Sequence, residues 1–374
     1  MLSPRFARLS LAAASSLAEK TAAPLAEAVH RLGAEADELL FVARVHGVAG
    51  LLARLDEKDG ALRSPLARAL GAERERIAER TSALTSDLAA IGQAAASAGL
   101  DLVPLKGAVL GALRYGDPSL RPAADIDLLC REEELARWER VLTGLGYALT
   151  ARSGKDLVFR RPGERVPTGF EERPDNPRPV ELHFRIPSRL LGRTVDPTEA
   201  YRARLAAGEL PSVGRALLPD DDALLLHLLA HLGPAAVGRG ARLIQLHDLS
   251  LLAPTASAGA LRVAHRGAAA WGLAALCARS LPGALPGALL VSLQRARPPR
   301  RRADAWLRRP GLQTGAEERT LLALAELPLC RSLGERAARL LDALPERSLL
   351  TRTYGGDELG LRGLLRYAAD RLRR

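Results

Sequence analysis

Hydrophobic positions along the chain change their period twice, and these changes divide the chain into three parts. Residues 22–98 repeat apolar positions at helical spacing almost throughout. From Gly99 the apolar runs become shorter, and they predict strands at 100–105, 124–130, 148–151, 156–160 and 179–186 with helices at 106–115 and 131–147. The helical period returns from Pro197. The pattern predicts an α+β fold in which a small mixed β-sheet is flanked by N-terminal and C-terminal helical segments.

These changes of period, together with an arginine- and proline-rich break that begins near residue 295, predict four units along the chain. They are an N-terminal helical segment at 1–98, an α/β core at 99–195, a helical domain at 196–290 that closes a cleft against the core, and a basic helical region at 291–374. The first twenty residues are interpreted as a helix start or a frayed end, because their apolar part is short and broken by serines. We expect no transmembrane segment, because no stretch reaches roughly 18 uninterrupted apolar residues.

Cysteine usage limits the classes of protein that fit. Cys130, Cys277 and Cys330 lie far apart and form no CxxC pair. This spacing excludes a disulfide scaffold and a thiolate zinc site, and it favours a reducing compartment. We therefore expect a cytoplasmic protein.

The chain is strongly basic, with 54 Lys and Arg against 43 Asp and Glu and a net charge of +11. Such an excess is typical of proteins with a polyanionic partner. Nearly all of it is arginine, however, spread along a chain rich in Ala, Leu and Gly. Two stretches concentrate it, at 295–309 and 362–374; we interpret them as a solvated hinge and tail, with a nucleic-acid or acidic-partner contact as the alternative.

Candidate chemistry is concentrated in the middle of the chain. Strand alternation places Asp125 and Asp127 on one face, and in the later strand it places Glu181 and His183 on one face. Three carboxylates on adjacent strands repel one another unless a cation neutralises them, and such a group can hold two Mg²⁺ ions. Upstream, Lys106 and the following glycine stand where a strand turns into a helix, a position at which backbone amides can hold phosphate oxygens.

The histidines leave alternatives open. His227 and His231 share a helical face at zinc-helix spacing, but Leu228 stands where a metalloprotease has its general-base Glu, and His247 is the only nearby third nitrogen. We therefore do not interpret this pair as a zinc site. His183 either orients a ligand carboxylate or the acceptor hydroxyl, or is a structural histidine.

The order of these motifs resembles the nucleotidyltransferase fold of the DNA polymerase β superfamily, and within it a bacterial family labelled nucleotidyltransferase family protein. The matching segments are VPLKGAVLGALRYGDPSLRPAADIDLLC and VELHFRI, and with flanking helical segments the resemblance covers about residues 35–255. It implies that the metal ligands are Asp125, Asp127 and Glu181, that Lys106 and Gly107 contact the nucleotide phosphates, and that Arg121 is a further phosphate or positioning contact. We add His183 to the nucleotide-site residues because it shares a strand face with Glu181. It also implies that His231 and Asp248 line the cleft or pair with each other.

The activity implied by this resemblance is a Mg²⁺-dependent transfer of a nucleoside monophosphate, AMP from ATP, to an acceptor hydroxyl with release of pyrophosphate. The acceptor is a small molecule, a protein side chain or an RNA end. The alternative is a catalytically silent relative that binds nucleotide, nucleic acid or a protein through its cleft or its arginine-rich surface. The usual Gly-Ser or Gly-Gly phosphate signature is replaced by Lys106 and Gly107, and the third acid is Glu181 where Asp is more usual. These departures predict a different local geometry around the phosphates.

Overall fold

The computed structural model describes residues 4–163, 175–190, 193–238, 242–252, 254, 255 and 257. The helices are α1 (Pro4–Glu19), α2 (Ala23–Leu32), α3 (Ala36–His46), α4 (Ala49–Asp59), α5 (Ser64–Ser97), α6 (Lys106–Leu110), α7 (Leu135–Gly144), α8 (Thr198–Arg202), α9 (Asp221–Gly238) and α10 (Leu243–Leu252). A π-helical turn, Gly111–Tyr115, extends α6, and a 3₁₀ turn, Glu132–Glu134, precedes α7. The strands are β1 (Ile126–Leu129), β2 (Ala148–Arg152), β3 (Asp156–Arg160), β4 (Val180–His183), β5 (Ser188–Leu190), β6 (Arg193–Val195), β7 (Leu205–Leu210) and β8 (Gly214–Pro219). The predicted α+β fold is confirmed.

A four-stranded mixed sheet forms the centre of the core, in the order β1-β4-β3-β2. β1 runs parallel to β4, whereas β3 is antiparallel to both β4 and β2. The register sets Asp127 of β1 beside Glu181 of β4, and His183 beside Asp156 of β3. Polar side chains from three neighbouring strands therefore meet at one end of the sheet.

Two large apolar clusters hold the elements together. The first contains side chains from α1 to α4, the N-terminal half of α5, α6, α9 and α10. The second lies between α5, α7 and the four-stranded sheet, with the fully buried Trp138 among its members, as expected for a packing residue. The predicted segments 1–98 and 196–290 thus share a core. The predicted domain boundaries stay predictions, and 291–374 lies outside the described residues.

A close backbone approach joins the N-terminal helices to the loop that precedes β1. A Cβ atom at Gly50 of α4 would lie 1.9 Å from the carbonyl oxygen of Ser119. Only glycine fits such a contact. Arg74 of α5 fixes the same loop, because its guanidinium contacts Asp117 at 2.9 Å and Ser119 at 2.8 Å. The loop leading to β1 is therefore clamped from two helices.

Two expectations about secondary structure are corrected by the structure. The strand expected at 100–105 forms only an isolated antiparallel bridge between Pro104 and Leu128, in which the amide of Leu105 donates to the carbonyl of Asp127 and the amide of Leu129 donates to that of Val103. The helical period expected after Pro197 is interrupted by the β7–β8 hairpin. Its strands are rich in Ala and Leu, which favour helices, so tertiary pairing overrides local propensity here. Among the described residues, no helix combines the length and the hydrophobicity needed to cross a membrane.

Candidate active site

The parallel pairing of β1 and β4 builds a cluster of acidic side chains. Asp127 of β1 is 4% exposed and lies beside the half-buried Glu181, while Asp125 immediately precedes β1. Asp127, Glu181 and His183 each offer one potential metal-ligand atom, and these atoms lie within 4.8 Å of one another. The structure thus brings Asp127 and Glu181 together with His183, whereas Asp125, the third carboxylate expected to bind metal, is not part of this group of close ligand atoms.

Both carboxylate oxygens of Asp127 have partners within the protein. The Lys106 ammonium lies 3.1 Å from Oδ2, and Nε2 of His183 lies 3.0 Å from Oδ1. His183 also approaches Glu181, with 3.6 Å between Nε2 and Oε2, and Asp156, with 3.7 Å between Nδ1 and Oδ2. The imidazole therefore lies among three carboxylates, where it orients Asp127.

Asp156 is a member of this cluster that the sequence reasoning missed. Its strand was predicted, but its pairing with β4, and therefore its place beside His183, depends on a contact between distant parts of the chain. The only local signal is the polar turn at Ser153, whose hydroxyl donates a hydrogen bond to Asp156.

The pKa values of the cluster show that negative charge is in excess. Burial, followed by the nearby Asp127, raises the pKa of Asp125 to about 7, and the same two causes raise the pKa of Glu181. Burial would also raise the pKa of Asp127, but Lys106 and His183 outweigh it and hold that pKa well below its usual range. The pKa of Lys106 is raised, because Asp127 and Asp125 outweigh the opposing effect of burial. The Lys106 ammonium is therefore close to several carboxylates.

Arg121 lies next to this cluster and is engaged in a buried ion pair. Its Nε and Nη2 donate to the two oxygens of Asp248 on α10, at 2.9 and 2.8 Å, and its Nη1 donates to the carbonyl oxygen of Gly107 at 3.3 Å. Tyr115 donates to the same carboxylate at 2.6 Å. Of the two roles expected for Arg121, this geometry favours the positioning contact, because the guanidinium holds the turn that begins α6.

The expected pair between His231 of α9 and Asp248 of α10 does not form. Asp248 is fully buried against Arg121, not paired with His231, which is exposed. His227 is buried, and its ring packs edge-on against Tyr201 with 5.5 Å between the ring centroids. Burial lowers the pKa of His227 well below its usual value, and Lys106 lowers it further. Within the described part of the chain, neither histidine belongs to a group of metal-ligating side chains that lie close together.

Comparison with known families identifies the group to which the chain belongs. A family model described as an uncharacterised nucleotidyltransferase matches residues 33–281, which is more than half of the chain. The chain belongs to this family. No match was found among curated proteins or among solved structures. The resemblance carried by the LKG, DID and ELH motifs is therefore confirmed at the level of the family, and nucleotidyl transfer is its general activity.

Proposed function

We propose that this nucleotidyltransferase family member transfers AMP from ATP to an acceptor hydroxyl, with Mg²⁺ as cofactor and pyrophosphate as the second product. The observation that carries the proposal is the pair Asp127 and Glu181, held side by side on parallel strands with the Lys106 ammonium 3.1 Å from Asp127. A phosphoryl group undergoing substitution needs positive charge around it, which an ammonium supplies directly and carboxylates supply by holding metal ions.

The donor set fits a divalent cation. The pKa values of Asp125 and Glu181 are raised by burial and by the neighbouring acid, so a bound cation would relieve repulsion that Lys106 alone leaves. We propose that Asp125, Asp127 and Glu181 hold two Mg²⁺ ions, since carboxylate oxygens are the ligands this ion prefers. When bound, these ions would activate the acceptor hydroxyl and offset the charge of the departing pyrophosphate.

The remaining roles are assigned to side chains already in place. Lys106 has a flexible stem and a compact charge, so its ammonium can leave Asp127 for a phosphate oxygen of the nucleotide. Arg121 fixes the carbonyl of Gly107, and a Cβ atom at Gly107 would lie 3.3 Å from the Arg121 guanidinium, so glycine allows this contact. His183 keeps Asp127 in one orientation by donating to Oδ1. A nucleic-acid acceptor bound by 295–309 or 362–374 stays a prediction, because both stretches lie outside the described residues.

Transfer of label from α-³²P-ATP, with pyrophosphate release measured in parallel, tests this proposal. Asp127→Asn should lower the rate by about a hundredfold or more, because it removes a charge that is needed in the transition state. Asp101→Asn is the matched control, since Asp101 is exposed and has no place in the cluster. Unchanged turnover in Asp127→Asn would contradict the assignment. Binding of ATP by the wild type without any turnover would favour the catalytically silent alternative.

A further inference from the structure

A groove of about 380 Å³ lies between α5 and the segment that α6 forms with its π-helical turn. The α5 wall carries four hydroxyl side chains, Thr81, Ser82, Thr85 and Ser86. The opposite wall consists of the small residues Gly107, Ala108, Gly111 and Ala112. The volume falls within the roughly 300–1,000 Å³ of pockets that bind small molecules.

The charged side chains along this groove are mostly neutralised within the protein. Arg121 is engaged by Asp248, and Asp117 lies 2.9 Å from the guanidinium of Arg74. A triphosphate needs cations or several hydrogen-bond donors around it. The groove therefore suits an uncharged group better than the phosphate chain of a nucleotide.

The groove and the acidic cluster have one residue in common, Asp125. Asp125 lines the end of the groove, whereas Lys106 lies outside the lining and contacts Asp127. Asp125 is thus shared by the groove and the cluster, and the ammonium belongs to the cluster alone. A molecule with one uncharged part and one polyanionic part would match this division.

We infer that the groove binds the base and ribose of the nucleoside triphosphate, an assignment that rests on the proposed function. The nucleoside is the uncharged part of that substrate, and in this placement its phosphates extend past Asp125 toward Lys106. The hydroxyls of α5 can contribute hydrogen bonds. Thr85 donates to the carbonyl of Thr81, and Ser86 donates to that of Ser82, so both hydroxyl oxygens keep lone pairs that can accept from an amino group or a ribose hydroxyl.

Gly111 offers a way to fill the groove without disturbing the fold. Its backbone is helical, with φ −55° and ψ −49°, and a Cβ atom there would meet no atom within 4 Å. A leucine at this position is therefore accommodated by the backbone and projects into open space. Gly71 of α5 is the matched control, because it is also helical, also has no atom within 4 Å of a Cβ, and lies outside the groove lining.

The experiment measures the binding of two ligands to the full chain by titration calorimetry in the presence of Mg²⁺. The ligands are α,β-methylene-ATP, which resists transfer, and inorganic tripolyphosphate, which lacks the nucleoside. Gly111→Leu should raise Kd for the ATP analogue by about tenfold or more and leave Kd for tripolyphosphate within about twofold. Gly71→Leu should change neither value. Gly111→Ala should give a smaller increase for the analogue, and the melting temperature of each variant checks its fold.

Each other result has a defined meaning. An unchanged Kd for the ATP analogue in Gly111→Leu overturns the nucleoside assignment. If the same variant also loses turnover, the groove binds the acceptor instead. Equal weakening of both ligands also overturns the assignment, because the groove would then affect the phosphates. If the wild type binds neither ligand, the proposed function itself fails.

Discussion

Two charged clusters lie side by side in this protein and differ in how their charges are balanced. Around Arg121 one guanidinium meets one carboxylate, that of Asp248, through two hydrogen bonds, and both side chains are at least nine-tenths buried. At the end of β1 and β4 the ammonium of Lys106 is the one lysine charge that faces several carboxylates in the described part of the chain. The first cluster is matched within the protein, and the second carries excess negative charge.

The difference indicates what each cluster contributes. In a buried ion pair with good geometry, the attraction between the two charges offsets much of the free energy lost when they leave water. This pair also connects α10 to the turn at Gly107. An unmatched cluster costs folding free energy through repulsion between its carboxylates, which a bound cation can offset. Arg121 and Asp248 therefore link α10 to α6, whereas under the proposed function the acidic group would hold the charged ligand.

The largest expected effect comes from breaking the matched pair. Asp248→Ala leaves the buried Arg121 guanidinium without its carboxylate, so the free energy of unfolding in urea should fall by about 3–5 kcal/mol. The exposed pair between Glu27 and Arg31, with 3.7 Å between the charged atoms, is the control, and Glu27→Ala should cost less than about 1 kcal/mol. Similar losses in the two variants would show that the buried pair has no special role. The double variant Arg121→Met with Asp248→Leu should recover much of the loss, because it removes both charges together.

Removing a charge from the acidic cluster should raise the free energy of unfolding, whereas removing one from the Arg121–Asp248 pair lowers it. Since the pKa of Asp125 in the folded state is about 7 and lies above its ordinary value of 3.8, the folded protein retains a proton that the unfolded chain releases. The contribution of Asp125 to the stability of the metal-free protein should therefore fall as the pH rises from about 4 through 7. Asp125→Asn removes this titration, and at pH 8 we expect it to be more stable than the wild type by on the order of 2 kcal/mol.

Urea unfolding of the metal-free proteins between pH 4 and pH 9 checks this expectation. The stability difference between Asp125→Asn and the wild type should grow with pH, and added Mg²⁺ should stabilise the wild type more than the variant. Asp101→Asn, at an exposed position, should follow the wild-type curve. A difference that does not vary with pH would show that Asp125 is not held in a destabilising environment.

The sequence predicts those parts of the site that depend on the spacing of hydrophobic and polar residues within one strand or helix. Strand alternation brings Glu181 and His183 to one face, and the change from strand to helix marks Lys106. These features need only the geometry of one element each. The parallel register that sets Asp127 beside Glu181 required one further assumption, that the two strands are neighbours, and the resemblance to the family supplied it.

The parts that the sequence does not predict depend on contacts between distant elements. Arg121 and Asp248 are 127 positions apart, and no local pattern links an arginine before β1 to an acid in α10. Asp156 joins the cluster only through the antiparallel pairing of β3 with β4. The β7–β8 hairpin is hidden by its Ala and Leu content, although Pro211 and the Gly214 that opens β8 mark its turn.

The smallest expected effect concerns the hydroxyl that completes the matched cluster. Tyr115 is buried, donates to Asp248 at 2.6 Å and lies 3.0 Å from Nδ1 of His247, so Tyr115→Phe removes one hydrogen bond to a charged acceptor and one to an imidazole. The remaining two bonds from Arg121 still satisfy the carboxylate, and we expect a loss of about 1–2 kcal/mol, well below that of Asp248→Ala. Tyr201 is the matched control, because it is also buried but its hydroxyl has no hydrogen-bond partner among the described residues. Tyr201→Phe should therefore leave the free energy of unfolding unchanged or slightly higher. Equal losses in the two phenylalanine variants, measured in urea at pH 7, would mean that the Tyr115 hydroxyl adds nothing to the pair and that Arg121 alone balances Asp248.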